Sequence, residues 1–147
     1  PWNVPFTLQT FGVALCGYLL GPWYGTASIF VYIALGAVGV PVFSGFKGSI
    51  GVLAGMTGGY LLGFLFMALL CGLVWKTKNI PALILVSAAG LLLCHLFGAV
   101  WFAMVGDTGI WYAISVASLP YLIKDMVSMA GAYLLAGKLR RRIPIGA

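Results

Sequence analysis

No charged side chain interrupts residues 7–38, 57–75 or 81–105 of this chain. A helix needs about 20 mostly apolar residues to cross a hydrocarbon core of roughly 30 Å. Charged residues are 7% of the 147 positions, against roughly 25% in soluble domains. With 63% hydrophobic residues and a mean hydropathy of +1.11, there is too little charge to keep a folded surface in water. The chain reads as an all-α integral membrane protein of one domain. Backbone in lipid must satisfy its own hydrogen bonds, which favours helices. The period-2 alternation of a membrane barrel is missing.

Five spanning segments are expected, near 7–20, 26–38, 57–75, 81–105 and 120–139. "GPWYG" (21–25) separates the first two, which are short for spans, and "KTKN" (76–79) ends the third. Pro81 suits the first turn of the fourth. Lys76, Lys78 and the Lys138–Arg142 cluster mark the inner side by the positive-inside rule. The two clusters agree on one topology. It places the outer loops at 1–6, 39–56 and 106–119 and the C-terminus in the cytoplasm. It also starts the chain outside with no signal segment, so an upstream helix is expected: six helices, five of them in this sequence.

The net charge of +6 is therefore an orientation signal and not a nucleic-acid footprint. Cys16, Cys71 and Cys94 lie far apart in apolar runs, odd in number and without metal spacing. They read as small buried residues.

Asp125 is the sharpest chemical signal, because ionisable groups inside a spanning helix are costly and usually functional. The interval 125–138, at 1.5 Å per residue, sets it roughly 20 Å from the basic cluster, just below the outer loops. It can accept N–H bonds from a neutral polar ligand, or pair with Lys124 or Lys47. Ser128 shares its helix face. His95, alone among Leu, Cys and Phe, reads as a group hydrogen-bonded between helices and not as a metal ligand. Nothing places a nucleophile beside a base, so an enzyme is not expected.

Glycine is dense from Gly39 to Phe64. Gly55, Gly59 and Gly63 repeat every four residues, a stripe that lets helices approach closely. Gly39, Gly45, Gly48 and Gly51 precede that helix and point to backbone folded tightly around something small. "TGGY" (57–60) offers free N–H groups at a helix start. Trp2, Phe6, Phe43, Phe46, Tyr60, Trp111, Tyr112 and Tyr121 surround these pieces, as interface belt or as pocket wall.

Three stretches, "VPFTLQTFGVALCGYLLGPWYG", "YIALGAVGVPVFSGFKGSIGVLAGMTGGYLLGF" and "LPYLIKD", together resemble the BioY family over nearly the whole chain. Met56 stands where that family has proline. Ser128 stands where it often has lysine, and Lys124 precedes the Asp instead. The resemblance implies a six-helix bundle of the energy-coupling-factor (ECF) S-component type, with the first helix absent here. It implies high-affinity biotin binding from outside for vitamin uptake, with a transmembrane coupling subunit and two ATPase subunits as partners and no cofactor. The ligand set expected is Asp125, Lys124, Ser128, Lys47, Phe43, Gly45, Phe46, Thr57, Gly58, Gly59, Tyr60 and Tyr121. The alternative is an S component for another vitamin such as thiamine or riboflavin.

Overall fold

A computed structural model describes residues 6–144. Trp2 and the rest of 1–5 lie outside the described residues. The elements are α1 (Gln9–Ala37), α2 (Ile50–Ala54), α3 (Gly58–Leu73), α4 (Ile80–Val105), α5 (Ile110–Ala113) and α6 (Leu119–Arg142), with a π-helical turn (Ile114–Ser118) joining α5 to α6. Among the described residues there is no strand, only an isolated bridge between Phe43 and Lys47.

Helix α1 is two arms, 9–20 and 22–37, reversed at a single residue. Gly21 has φ 82° and ψ −179°, a backbone conformation that glycine adopts without Cβ strain. Pro22 then restarts the helix, since its missing N–H and fixed φ suit a first turn. The arms run antiparallel: Gln9 Nε2 donates to Tyr32 Oη at 2.7 Å across them. The break expected over 21–25 is thus confined to Gly21. Each arm is shorter than the roughly 20 residues of a straight span.

Helix α3 packs against both arms of α1 and against α4. A Cβ at Gly63 would lie 2.8 Å from Cys94 Cα, so bare backbone is what lets α3 meet α4. Tyr18 Oη donates to Ser87 Oγ at 2.6 Å, tying α1 to α4 inside the bundle. Asn79 caps α4 by accepting from the Ala82 N–H at 3.2 Å, with Pro81 in the first turn.

Non-helical backbone in the expected outer loop 106–119 is limited to 106–109. The chain is helical from Ile110 onward, through the π turn just ahead of Pro120. Proline lacks the ladder N–H and clashes with the carbonyl four residues back. A wider turn relieves that clash and leaves a carbonyl for another partner. Tyr60 Oη donates to one carbonyl of this turn, Ala117 O, at 2.6 Å. The expected outer loop 39–56 likewise contains a helix, α2.

Apolar and polar groups are distributed as in a membrane protein. Leu85, Met104, Ile123 and Val127 are exposed, while His95 and Asp125 are buried. By length and composition α4 is long and apolar enough to cross a membrane, whereas the 29 residues of α1 reach that length only when counted through the reversal at Gly21. The ends of the bundle differ. Arg140 at the close of α6 bonds to the Trp75 carbonyl beyond α3, gathering the basic residues at one end. Asp125 lies toward the other.

Candidate functional site

The end away from the Lys138–Arg142 cluster holds a cavity of about 400 Å³, within the usual range of small-molecule sites. Five parts of the chain enclose it: the start of α1, the glycine-rich segment, α3, α4 and the π turn with α6. The glycine-rich segment can come this close because its backbone folds on itself. At Gly48 the space for a Cβ is filled by the backbone of Val40.

Asp125 sits on this cavity and is 5% exposed. Its Oδ2 meets His95 Nε2 of α4 at 3.1 Å, and its Oδ1 meets Lys124 Nζ at 2.6 Å. Lys124 Nζ also donates to Thr7 O at 2.7 Å and lies 5.1 Å from the Phe6 ring and 5.9 Å from the Tyr121 ring. Adjacent helix positions point about 100° apart, yet the long lysine stem curls back. The Thr7 carbonyl and the aromatic faces stabilise that bend. Carboxylate and ammonium neutralise each other, which offsets part of the cost of taking the charges out of water. Tyr60 crosses from α3 to the π turn, its hydroxyl 2.9 Å from Ser118 Oγ. Its ring meets His95 edge-on at 5.9 Å. Rigid donors and acceptors from four helices therefore converge on one side of an otherwise apolar chamber.

Of the residues expected from sequence, Phe43, Lys47, Thr57, Tyr60, Tyr121, Lys124 and Asp125 line the cavity. Gly45, Phe46, Gly58, Gly59 and Ser128 do not. Phe46 is 89% exposed at φ 55°, because the Phe43–Lys47 bridge puts it at the tip of a tight turn that faces away. Gly59 packs on Trp101 and the Phe97 carbonyl of α4, and Gly58 against the Leu53 carbonyl. Ser128 is buried one turn further along α6.

The sequence reading passed over Thr7, Gln9, Thr10, Ser44 and Ser49, all of which line the cavity, and His95, expected to hydrogen-bond between helices, does so to Asp125 and lines the cavity as well. A signal existed for the first three. "TLQT" is a polar cluster at the head of an apolar run. The partner of His95 lies 30 residues away in sequence, so local reading cannot pair it. Among the described residues no cluster of His, Cys, Asp and Glu is able to hold a metal.

The BioY family model matches residues 1–145. The chain belongs to the BioY family. Among BioY relatives, the biotin transporter BioY of Thermotoga maritima is 44% identical over 140 residues, which cover 94% of this chain and 82% of the relative. The probable biotin transporter BioY of Pyrococcus horikoshii is 39% identical over 138 residues, covering 93% and 81%. A crystal structure of the S-component for biotin from an ECF-type ABC transporter superposes with TM-score 0.85 at 29% identity, over 95% of this chain and 77% of that one. The fold is that of an ECF S component, and the protein is a membrane protein of a transporter family.

Proposed function

We propose that this chain is the membrane-embedded, biotin-binding S component of an ECF-type vitamin transporter. One observation carries the reading: a buried carboxylate, Asp125, fixed by His95 and Lys124 on the wall of a cavity of about 400 Å³. The ligand named for the BioY relatives and for the S-component structure has polar and apolar parts that suit this lining. A cyclic urea offers two N–H donors, and Asp125 offers acceptor lone pairs beyond those its two partners occupy. Fused rings of low polarity fit among Phe43, Tyr60, Phe64 and Tyr121. Lys47, on the rim of the cavity, meets the valerate carboxylate. Lys124 is less suited to that role, since Asp125 and Thr7 O already hold its ammonium.

In this reading the cavity opens to the outside and the basic end faces the cytoplasm, following the positive-inside rule. The sequence has no phosphate-binding loop. Energy comes from a transmembrane coupling subunit and two ATPase subunits. Calorimetric titration of the purified protein with biotin tests the proposal. Saturable binding at one site per chain is expected. Absence of biotin binding in a protein that binds thiamine or riboflavin would overturn the ligand assignment.

A further inference from the structure

His95 is the sole histidine of the sequence, and it reaches the carboxylate on the cavity wall. It is 7% exposed, and its two ring nitrogens have different surroundings. Nε2 lies 3.1 Å from Asp125 Oδ2. Nδ1 is buried with no hydrogen-bond partner. An ionised carboxylate only accepts, so Nε2 carries hydrogen. A further hydrogen on Nδ1 is a buried donor that meets no acceptor, which is costly. The geometry therefore fits a neutral imidazole, protonated at Nε2 and bare at Nδ1. The Tyr60 ring packs against it edge-on.

The titratable and charged groups around this ring are few. From α6 come Asp125, Lys124 and Tyr121, from α3 Tyr60, and from α4 itself Cys94. Lys47 of the glycine-rich segment lines the same cavity. The start of α1 presents Thr7, Gln9 and Thr10, and the π turn presents Ser118, none of which titrates. With the imidazole neutral, Asp125 and Lys124 cancel each other's charge.

We propose that His95 is a positioning residue whose protonation governs how Asp125 holds the ligand, so that affinity falls as the cavity acidifies. The inference rests on the biotin-binding reading above. A second proton on the imidazole makes its bond to Asp125 charge-assisted on both sides, and so stronger. The carboxylate then lies between two cations, which compete with the ureido N–H groups for its oxygens. The stranded Nδ1–H adds a desolvated donor to a wall that the bound ligand closes off from water. Ligand and second proton thus oppose each other, and each weakens the other by the same factor.

The test is titration calorimetry of the full chain with biotin from about pH 8 to about pH 5, the interval in which imidazoles generally change charge. Affinity is expected to fall by about tenfold across it, with a slope of no more than one proton. The carboxamide analogue of biotin shows the same fall, because the effect lies at the ureido end. His95→Gln keeps an N–H donor for Asp125 and does not titrate, so its affinity, whatever its level, is flat over the interval. Unfolding temperatures at both ends of the interval control for acid unfolding. Nitrogen NMR of the single labelled histidine is expected to show the hydrogen on Nε2 at about pH 8. Biotin affinity that is flat in the parent, or that rises on acidification, overturns the proposal and leaves the biotin reading standing. A fall that persists in His95→Gln overturns it too and assigns the proton to another group. So does hydrogen on Nδ1 alone in the NMR. Absence of biotin binding at every pH overturns the ligand assignment, and this inference with it.

Discussion

The two ends of the bundle treat charge in opposite ways. At the cavity end Asp125 is buried and held by two cationic or hydrogen-bonding partners within 3.1 Å, and the groups around it come from α1, α3, α4 and α6. At the basic end Lys76 and Arg140 lie against the Trp75 ring, and Lys78, Lys138, Arg141 and Arg142 are exposed or at the bundle edge. A carboxylate inside an apolar bundle must be neutralised where it sits, so its neighbours become fixed and directional. Ammonium and guanidinium groups at the bundle edge are left near solvent or against a ring face, and need only proximity. The first arrangement recognises a molecule by shape and hydrogen bonds. The second is the kind of cluster that, by the positive-inside rule, would orient a protein in the membrane.

The largest effect should follow from breaking the first arrangement. Asp125→Asn leaves the half-buried Lys124 without its counter-charge and exchanges one of the two acceptor oxygens for an amide N–H donor. Truncating one partner of a buried, hydrogen-bonded charge pair costs roughly 2–5 kcal/mol, so biotin affinity is expected to fall by about 100-fold or more. Titration calorimetry reads this directly. Affinity within about threefold of the parent would mean that the cavity wall is a structural ion pair, and the contrast between the two ends would lose its functional sense.

A smaller loss is expected at Lys47, which is exposed on the cavity rim. Lys47→Gln should weaken biotin by about tenfold, the lower range for a hydrogen bond to a charged group. The carboxamide analogue of biotin separates this from general disturbance. It should bind the parent about tenfold less well than biotin and bind Lys47→Gln equally well, so that the two changes are not additive. Additive losses would place the ligand carboxylate on another group, Lys124 first.

What the sequence revealed and what it hid divide along similar lines. Asp125 stood out because one carboxylate in a long apolar run is visible without any fold. The helix pattern was visible for the same reason, since long apolar runs report on lipid and not on partners. Three features depended on contacts that no local window contains. The reversal at Gly21 needed one residue where the composition of "GPWYG" suggested five. The π turn was hidden because the segment before Pro120 looked like a loop, while Tyr60 from another helix donates to its Ala117 carbonyl. Phe46 looked like a pocket aromatic from its neighbours, yet the bridge between Phe43 and Lys47 turns it outward. Alternate residues around a tight turn face opposite ways, and sequence proximity to a site says little about which way.

The smallest effect on ligand binding is expected at the basic end, where stability should respond instead. Arg140 is half-buried, donates to the Trp75 carbonyl and lies against the Trp75 ring. It is the polar link from the close of α6 to the chain leaving α3. Arg140→Ala removes a charge-assisted hydrogen bond and a stacking contact, together about 1–2 kcal/mol. The unfolding temperature should drop by a few degrees. Biotin affinity should stay within about twofold, because the energies of distant sites that share no partners add independently. A parallel loss of affinity would show that the two ends are mechanically coupled through α6, which carries Asp125 and Arg140 on the same rigid rod.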